Sequence, residues 1–122
     1  MKTEKTLELV RAYYDSWKGG GAALDDTRIR ALLAPNLTFE SPINQRQGAD
    51  SFMVGLGGFI TTMKSRQMLQ IVAAGDEAAA LYDCELTRPV NTLRCAEFFR
   101  VAGNRIEAIR LLFDATAYRK NL

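Results

Sequence analysis

The chain has 122 residues, 48% of them hydrophobic and 25% charged, and its 16 basic and 14 acidic side chains leave a net charge of +2. That size and balance suit one globular domain with its own core; they argue against disorder, and the scattered basic residues argue against nucleic-acid binding. There is no histidine, which removes the usual zinc sites and Ser-His or Cys-His chemistry, and no apolar run is long enough to span a membrane.

Met1-Lys2-Thr3-Glu4-Lys5 leads straight into an amphipathic pattern without an apolar signal core, so a cytoplasmic location is expected. Residues 4–18 read as a helix. Leu7, Val10, Tyr14 and Trp17 form its apolar stripe, Leu9 and Tyr13 lie beside it, and Gly19-Gly20-Gly21 is the stop. A shorter helix is expected from about 25 to 33, capped by Asp26 or Thr27, with Ile29, Leu32 and Leu33 on its apolar side. Leu37-Thr38-Phe39-Glu40 alternates as a short strand should, Pro42 breaks it, and residues 43–48 read as polar loop. A third helix is expected from about 49 to 63, presenting Phe52, Leu56, Phe59 or Ile60, and Met63. Gly55, Gly57 and Gly58 each weaken that helix by roughly 1 kcal/mol relative to alanine, unless they serve close packing or a cavity wall.

The second half is β-rich. Residues 67–74, 77–87, 93–101 and 105–113 read as strands separated by Gly75-Asp76, Arg88-Pro89-Val90-Asn91 and Gly103-Asn104. These tight turn signals favour antiparallel hairpins. Residues 114–122 form a tail, and nothing divides the chain, so residues 1–122 are one domain. Helices followed by a strand meander define an α+β class, with N-terminal helices covering the concave face of a curved antiparallel sheet. If Glu97 points inward, Ala96, Phe98, Ile106, Ala108 and Leu112 point outward among Arg94, Arg100 and Arg110. Such a mixed outer face is expected to pair with a second copy as a homodimer, with Asp83 and Glu85 joining the arginines in an ion lattice.

Three pieces carry a family resemblance: Leu9-Val10-Arg11-Ala12-Tyr13-Tyr14 closing in Trp17, Leu37-Thr38-Phe39-Glu40-Ser41-Pro42 before a third helix, and Asn104 to Arg110 running into Leu112-Phe113-Asp114. Their order resembles the nuclear-transport-factor-2-like superfamily, in its SnoaL-like and ketosteroid-isomerase-like branch. The resemblance implies a cone-shaped α+β barrel with a pocket between helices and sheet for a small, largely apolar ligand. Ketosteroid isomerases use a helix tyrosine, a carboxylate base after the first strand and a protonated acid on a later strand. Tyr13 falls at the tyrosine position, Glu97 at the acid, and Ser41 where the base belongs. The resemblance therefore implies Tyr13 and Glu97 as the catalytic, oxyanion-stabilising pair, and Trp17, Ser41, Tyr82, Cys84, Ile109 and Leu111 as ligand-binding wall. The Asp-Arg-Asp set of limonene-epoxide-hydrolase-like proteins meets Tyr82, Cys84 and Leu111, and the inward acid of polyketide cyclases meets Leu111 again. No metal and no cofactor is expected.

Glu97 lies in Cys95-Ala96-Glu97-Phe98-Phe99, an otherwise apolar strand. Facing a pocket, it is desolvated, held neutral and able to donate to an oxyanion; facing out, it pairs with an arginine. Tyr13 and Tyr14 point about 100° apart on a helix, so one hydroxyl reaches the pocket while the other packs or meets solvent, unless both are plain core residues. Cys84 lies across from Cys95 or Glu97, depending on register, and both cysteines read as buried thiols. An inward Ser41 sends Glu40 outward. Asp114 reads as a strand-end carboxylate accepting backbone donors. Two functions stay open: a pocket protein doing proton transfer next to a carbonyl, and a dimeric binding or assembly module without turnover.

Overall fold

The computed structural model describes residues 2–17 and 24–120. The elements run α1 Lys2–Asp15, α2 Asp26–Leu32, β1 Leu33–Glu40, β2 Gln45–Gln47, α3 Ala49–Thr62, β3 Met63–Ala74, β4 Glu77–Leu86, β5 Thr92–Ala102, β6 Arg105–Leu112 and α4 Thr116–Lys120. The expected glycine stop at 19–21 lies outside the described residues. No helix among them is long and apolar enough to cross a membrane.

The strands form one six-stranded sheet in the order β2-β1-β6-β5-β4-β3. The hairpins are antiparallel, as their short turns require, and Gly75 and Gly103 supply the φ of 61° at two of them. The exception is β1, which meets β6 in parallel because everything from β2 to β5 intervenes in the chain. Helices α1 and α3 lie against the inner face. α1 buries Thr6, Val10, Tyr13 and Tyr14, and α3 buries Phe52, Met53, Leu56 and Ile60. Thr6 Oγ1 donates to Gly75 O over 2.6 Å and ties α1 to the β3–β4 turn.

Strand alternation fills the inner face. Ala78, Ala80, Tyr82, Cys84 and Leu86 are buried along β4, and Leu93, Cys95, Glu97, Phe99 and Val101 along β5. The register sets Cys84 opposite Leu93, Cys95 opposite Tyr82 and Glu97 opposite Ala80. Cys84 thus faces neither of the partners expected for it and sits diagonal to Cys95.

Several expectations are corrected. Ile106 is buried rather than outward. Arg100 pairs with Ala108 but Val101 pairs with Ile106, so Glu107 is an extra residue and the bulge turns Ile106 inward beside Ile109. The polar segment read as loop contains the edge strand β2, with Arg46 opposite Phe39. Helix α2 is capped by Asp25, whose carboxylate accepts from Arg28 N, not by Asp26 or Thr27. The tail forms α4, started by Asp114 Oδ1 accepting from Thr116 N over 3.0 Å and from Thr116 Oγ1 over 2.7 Å.

The outer face carries half-exposed Leu69, Val72, Phe98 and Leu112. Arg94 grips Asp83 with two hydrogen bonds of 2.7 and 2.8 Å, while Arg110 pairs with Glu40 at 3.1 Å. Glu40 is thereby held outside, as alternation from Ser41 requires.

Candidate functional site

Glu97 sits mid-way along β5 and is only 3% exposed. Its neighbour across β4 is Ala80, too small to cover it, and Tyr82 stands one diagonal away. Tyr82 Oη donates to Glu97 Oε1 over 3.1 Å, and Tyr14 Oη, from α1, donates to the same oxygen over 2.5 Å. Both phenols therefore converge on Oε1, while Oε2 has no hydrogen-bond partner among the described residues.

Burial pushes the Glu97 carboxyl up to about 7, against the two phenol hydrogen bonds and the Arg66 charge, which pull it down. Burial, reinforced by the Glu97 charge, raises the phenols of Tyr13, Tyr14 and Tyr82 well above the ordinary tyrosine value. They are neutral donors at neutral pH. The Cys95 thiol is also pushed up, first by its contact with Cys84 and then by burial, which makes it a poor nucleophile.

Arg66 on β3 braces this cluster. Its guanidinium donates to Tyr14 O over 3.0 Å and to Trp17 O over 2.8 Å, and lies 4.5 Å from the Trp17 ring centroid and 5.0 Å from that of Tyr14. The last turn of α1 has no basic residue of its own, so Arg66 supplies the positive charge that the carbonyl end of the helix favours.

A cavity of about 100 Å³ opens beside Glu97. Of the residues singled out in the sequence, Tyr13, Trp17, Ser41, Tyr82, Glu97 and Leu111 line it. Cys84 and Ile109 do not. The Cys84 thiol packs on Met63 Sδ at 3.7 Å, and Ile109 is buried opposite Phe99. Tyr13, expected to share the oxyanion site, forms cavity wall, while its neighbour on the next helical position makes the hydrogen bond to Glu97. Ser41 is at the mouth, its hydroxyl donating to Asn44 Oδ1 over 3.0 Å and accepting from the backbone of Ile43 and Asn44. It shapes a turn and has no base to activate it.

The rest of the wall is Phe39, Phe52, Leu56, Phe59, Phe113 and Tyr118, with Arg46 at the β2 edge. Phe39 and Phe52 pack at 5.3 Å, and Phe113 and Tyr118 at 5.2 Å. Sequence reasoning missed Tyr14, Arg66 and Arg46; the phase of the helix and the pairing of β2 decide them. Trp17 Nε1 and Arg46 Nε are buried without a hydrogen-bond partner, and both residues line the cavity. Among the described residues no cluster of three or more His, Cys, Asp or Glu side chains could hold a metal. A larger, open trough of about 500 Å³ lies elsewhere, among Ser65, Gln67, Asp83, Glu85, Thr92 and Arg94, where the ion pair of Asp83 and Arg94 holds the Asp83 carboxyl below the usual range.

Helices covering one face of this sheet around a buried carboxyl define the class: a nuclear-transport-factor-2-like α+β fold. The SnoaL-like domain profile matches residues 10–109, and the chain belongs to that family. A protein of Kribbella flavida DSM 17836 shares the fold with a TM-score of 0.82 at 24% identity, over 93% of this chain and 90% of its own. A proposed ketosteroid isomerase of the same organism aligns with a TM-score of 0.74 at 19% identity, over 92% of this chain and 79% of its own. A proposed SnoaL-like polyketide cyclase from Jannaschia sp. CCS1 aligns with a TM-score of 0.79 at 13% identity, over 98% of this chain and 92% of its own. No curated protein matches the sequence.

Proposed function

We propose that the protein binds a small, largely apolar molecule through an oxygen atom that meets Glu97 in the cavity. One observation carries this reading: Oε1 of Glu97 receives both phenols, while Oε2 is left without a protein partner in a residue that lines the cavity. A neutral carboxyl in that setting donates from Oε2 to a carbonyl or enolate oxygen, and the donation strengthens as negative charge develops there. The chemistry this supports is proton transfer next to a carbonyl, the reaction class of the isomerase-like relatives. Glu97 is the one acidic residue among those lining the cavity. A carboxyl titrating near 7 serves as acid or base at neutral pH, so any proton relay runs through Glu97 rather than through Ser41.

The test is a fluorescence titration of Trp17 with phenol from about pH 6 to 9, repeated on Glu97→Gln and Tyr14→Phe. Saturable quenching that weakens in both variants supports the reading. Equal binding to all three proteins overturns it.

We propose separately that the functional unit is a homodimer. The half-exposed Phe98 and Leu112 of the outer face, framed by paired charges, form the surface that a second copy covers. The face lies on the opposite side of the sheet from the cavity, so pairing and ligand binding do not compete.

A further inference from the structure

Arg46 is placed where a polar edge strand has no need of it. It stands opposite Phe39 in the β1–β2 pair and so turns towards the cavity it helps to line. Its Nη1 donates to Ser51 O over 2.9 Å, with a longer contact of 3.4 Å to Ser51 Oγ, which fixes the guanidinium against the first turns of α3. Nε is buried and unpartnered, and Nη2 makes no hydrogen bond among the described residues. No carboxylate lies within ion-pair distance of it among them, although Arg94 and Arg110 each have one and Arg30 has two.

Gly55 shows that the placement depends on local room. A Cβ there would stand 2.6 Å from Arg46 Nε and 3.1 Å from Cδ and Cζ. The guanidinium lies directly over a bare helix position, and any larger residue at 55 must push it aside. This accounts for a glycine inside α3 that costs helix stability.

A half-buried cation with spare donors, set in an apolar wall without a counter-charge, is costly unless something negative joins it. The cavity wall carries two chemically distinct groups: the Glu97 carboxyl, with Tyr82 beside it and Tyr14 bonded to its Oε1 from outside the lining, and the guanidinium of Arg46. Resting on the pocket reading above, we propose that Arg46 is an anion anchor and that the ligand is a small organic acid. Its carboxylate meets Arg46 and its carbonyl or hydroxyl oxygen meets Glu97. The size agrees. About 100 Å³ is of the order of the 150 Å³ apolar cavity that holds one benzene, so a single ring or a short chain fits.

The test uses three probes on the intact protein at about pH 6, where Glu97 is largely neutral: 4-hydroxybenzoate, 4-hydroxybenzamide and phenol, followed by calorimetry or Trp17 fluorescence. The anchor predicts that the benzoate binds at least about tenfold more tightly than the benzamide. In Arg46→Gln that ratio falls to near one. Gly55→Ala retains the charge but displaces it, and the ratio falls there too; this variant carries the test if Arg46→Gln does not fold. A ratio near one in the wild type, with phenol bound, overturns the anchor and leaves the pocket reading standing. A ratio that survives in both variants also overturns it. Failure of all three probes to bind the wild type at millimolar concentration overturns both.

Discussion

The Tyr14 hydroxyl reaches from α1 to Glu97 on β5 and donates a 2.5 Å hydrogen bond to Oε1, joining helix to sheet at a buried carboxyl. Glu97 is 3% exposed and Tyr14 is 2% exposed, so this pair is shielded from water and from salt.

Glu97 makes stability depend on pH with a definite sign. Its carboxyl titrates at about 7 in the fold, against an ordinary value of 4.5. Between those values the native state holds a proton that the unfolded chain has released, so the contribution is fully present in acid. It is lost as pH rises from about 4.5 through 7, a fall on the order of 3 kcal/mol. Glu97→Gln removes that dependence. Urea unfolding of both proteins between pH 4.5 and 8 measures the difference, and parallel pH curves would contradict it.

The two adjacent tyrosines separate cleanly. Tyr14→Phe removes a hydrogen bond to a buried acid and is expected to cost about 1–3 kcal/mol and to raise the Glu97 pKa further, since that bond favours the ionised form. Tyr13→Phe leaves the bond intact and is expected to cost under about 1 kcal/mol with little change in the Glu97 titration. Thermal unfolding and a carboxyl titration of each variant decide this.

Arg66 joins two functions in one side chain. Arg66→Met removes both hydrogen bonds to the end of α1 and the ring contacts, for a loss of about 2 kcal/mol. It also removes a charge that holds the Glu97 pKa down, so that pKa rises. Arg66→Lys keeps the charge but cannot span both carbonyls, and is expected to keep the titration while losing part of the stability. Denaturation and titration of the two variants distinguish these effects.

The proposed dimer predicts that Phe98→Arg, which sets a cation opposite Arg110, shifts the protein to monomer in sedimentation velocity while leaving the cavity intact. A wild type that stays monomeric at high micromolar concentration would contradict the pairing.

How much was legible depended on which signals are local. The apolar strand around Glu97 left its carboxyl facing in or out, and the family resemblance assigned it to the pocket; the apolar stripe of α1 placed Trp17 and the tyrosines in the core. Which tyrosine meets Glu97 was not readable, because the answer turns on the rotation of α1 against the sheet, set by Val10, Tyr13 and Trp17 packing together. The reversal at Ile106 was hidden because one extra residue at Glu107 flips the face of the residue before it, without altering composition, while Ile109 to Leu112 keep the faces that alternation assigns them. β2 escaped because an edge strand of three polar residues carries no alternation of hydrophobicity, and with it Arg46 escaped as wall. Cys84 and Ile109, assigned to the cavity wall with the resemblance, share the inner face but do not line the cavity.

The most direct test of the central claim is a ¹³C NMR titration of the Glu97 side-chain carboxyl, assigned by its loss in Glu97→Gln, with and without phenol. A midpoint near 7 that moves when phenol is added is the predicted result. A midpoint in the ordinary glutamate range, or one indifferent to phenol, would show that Glu97 is not the neutral acid facing the ligand.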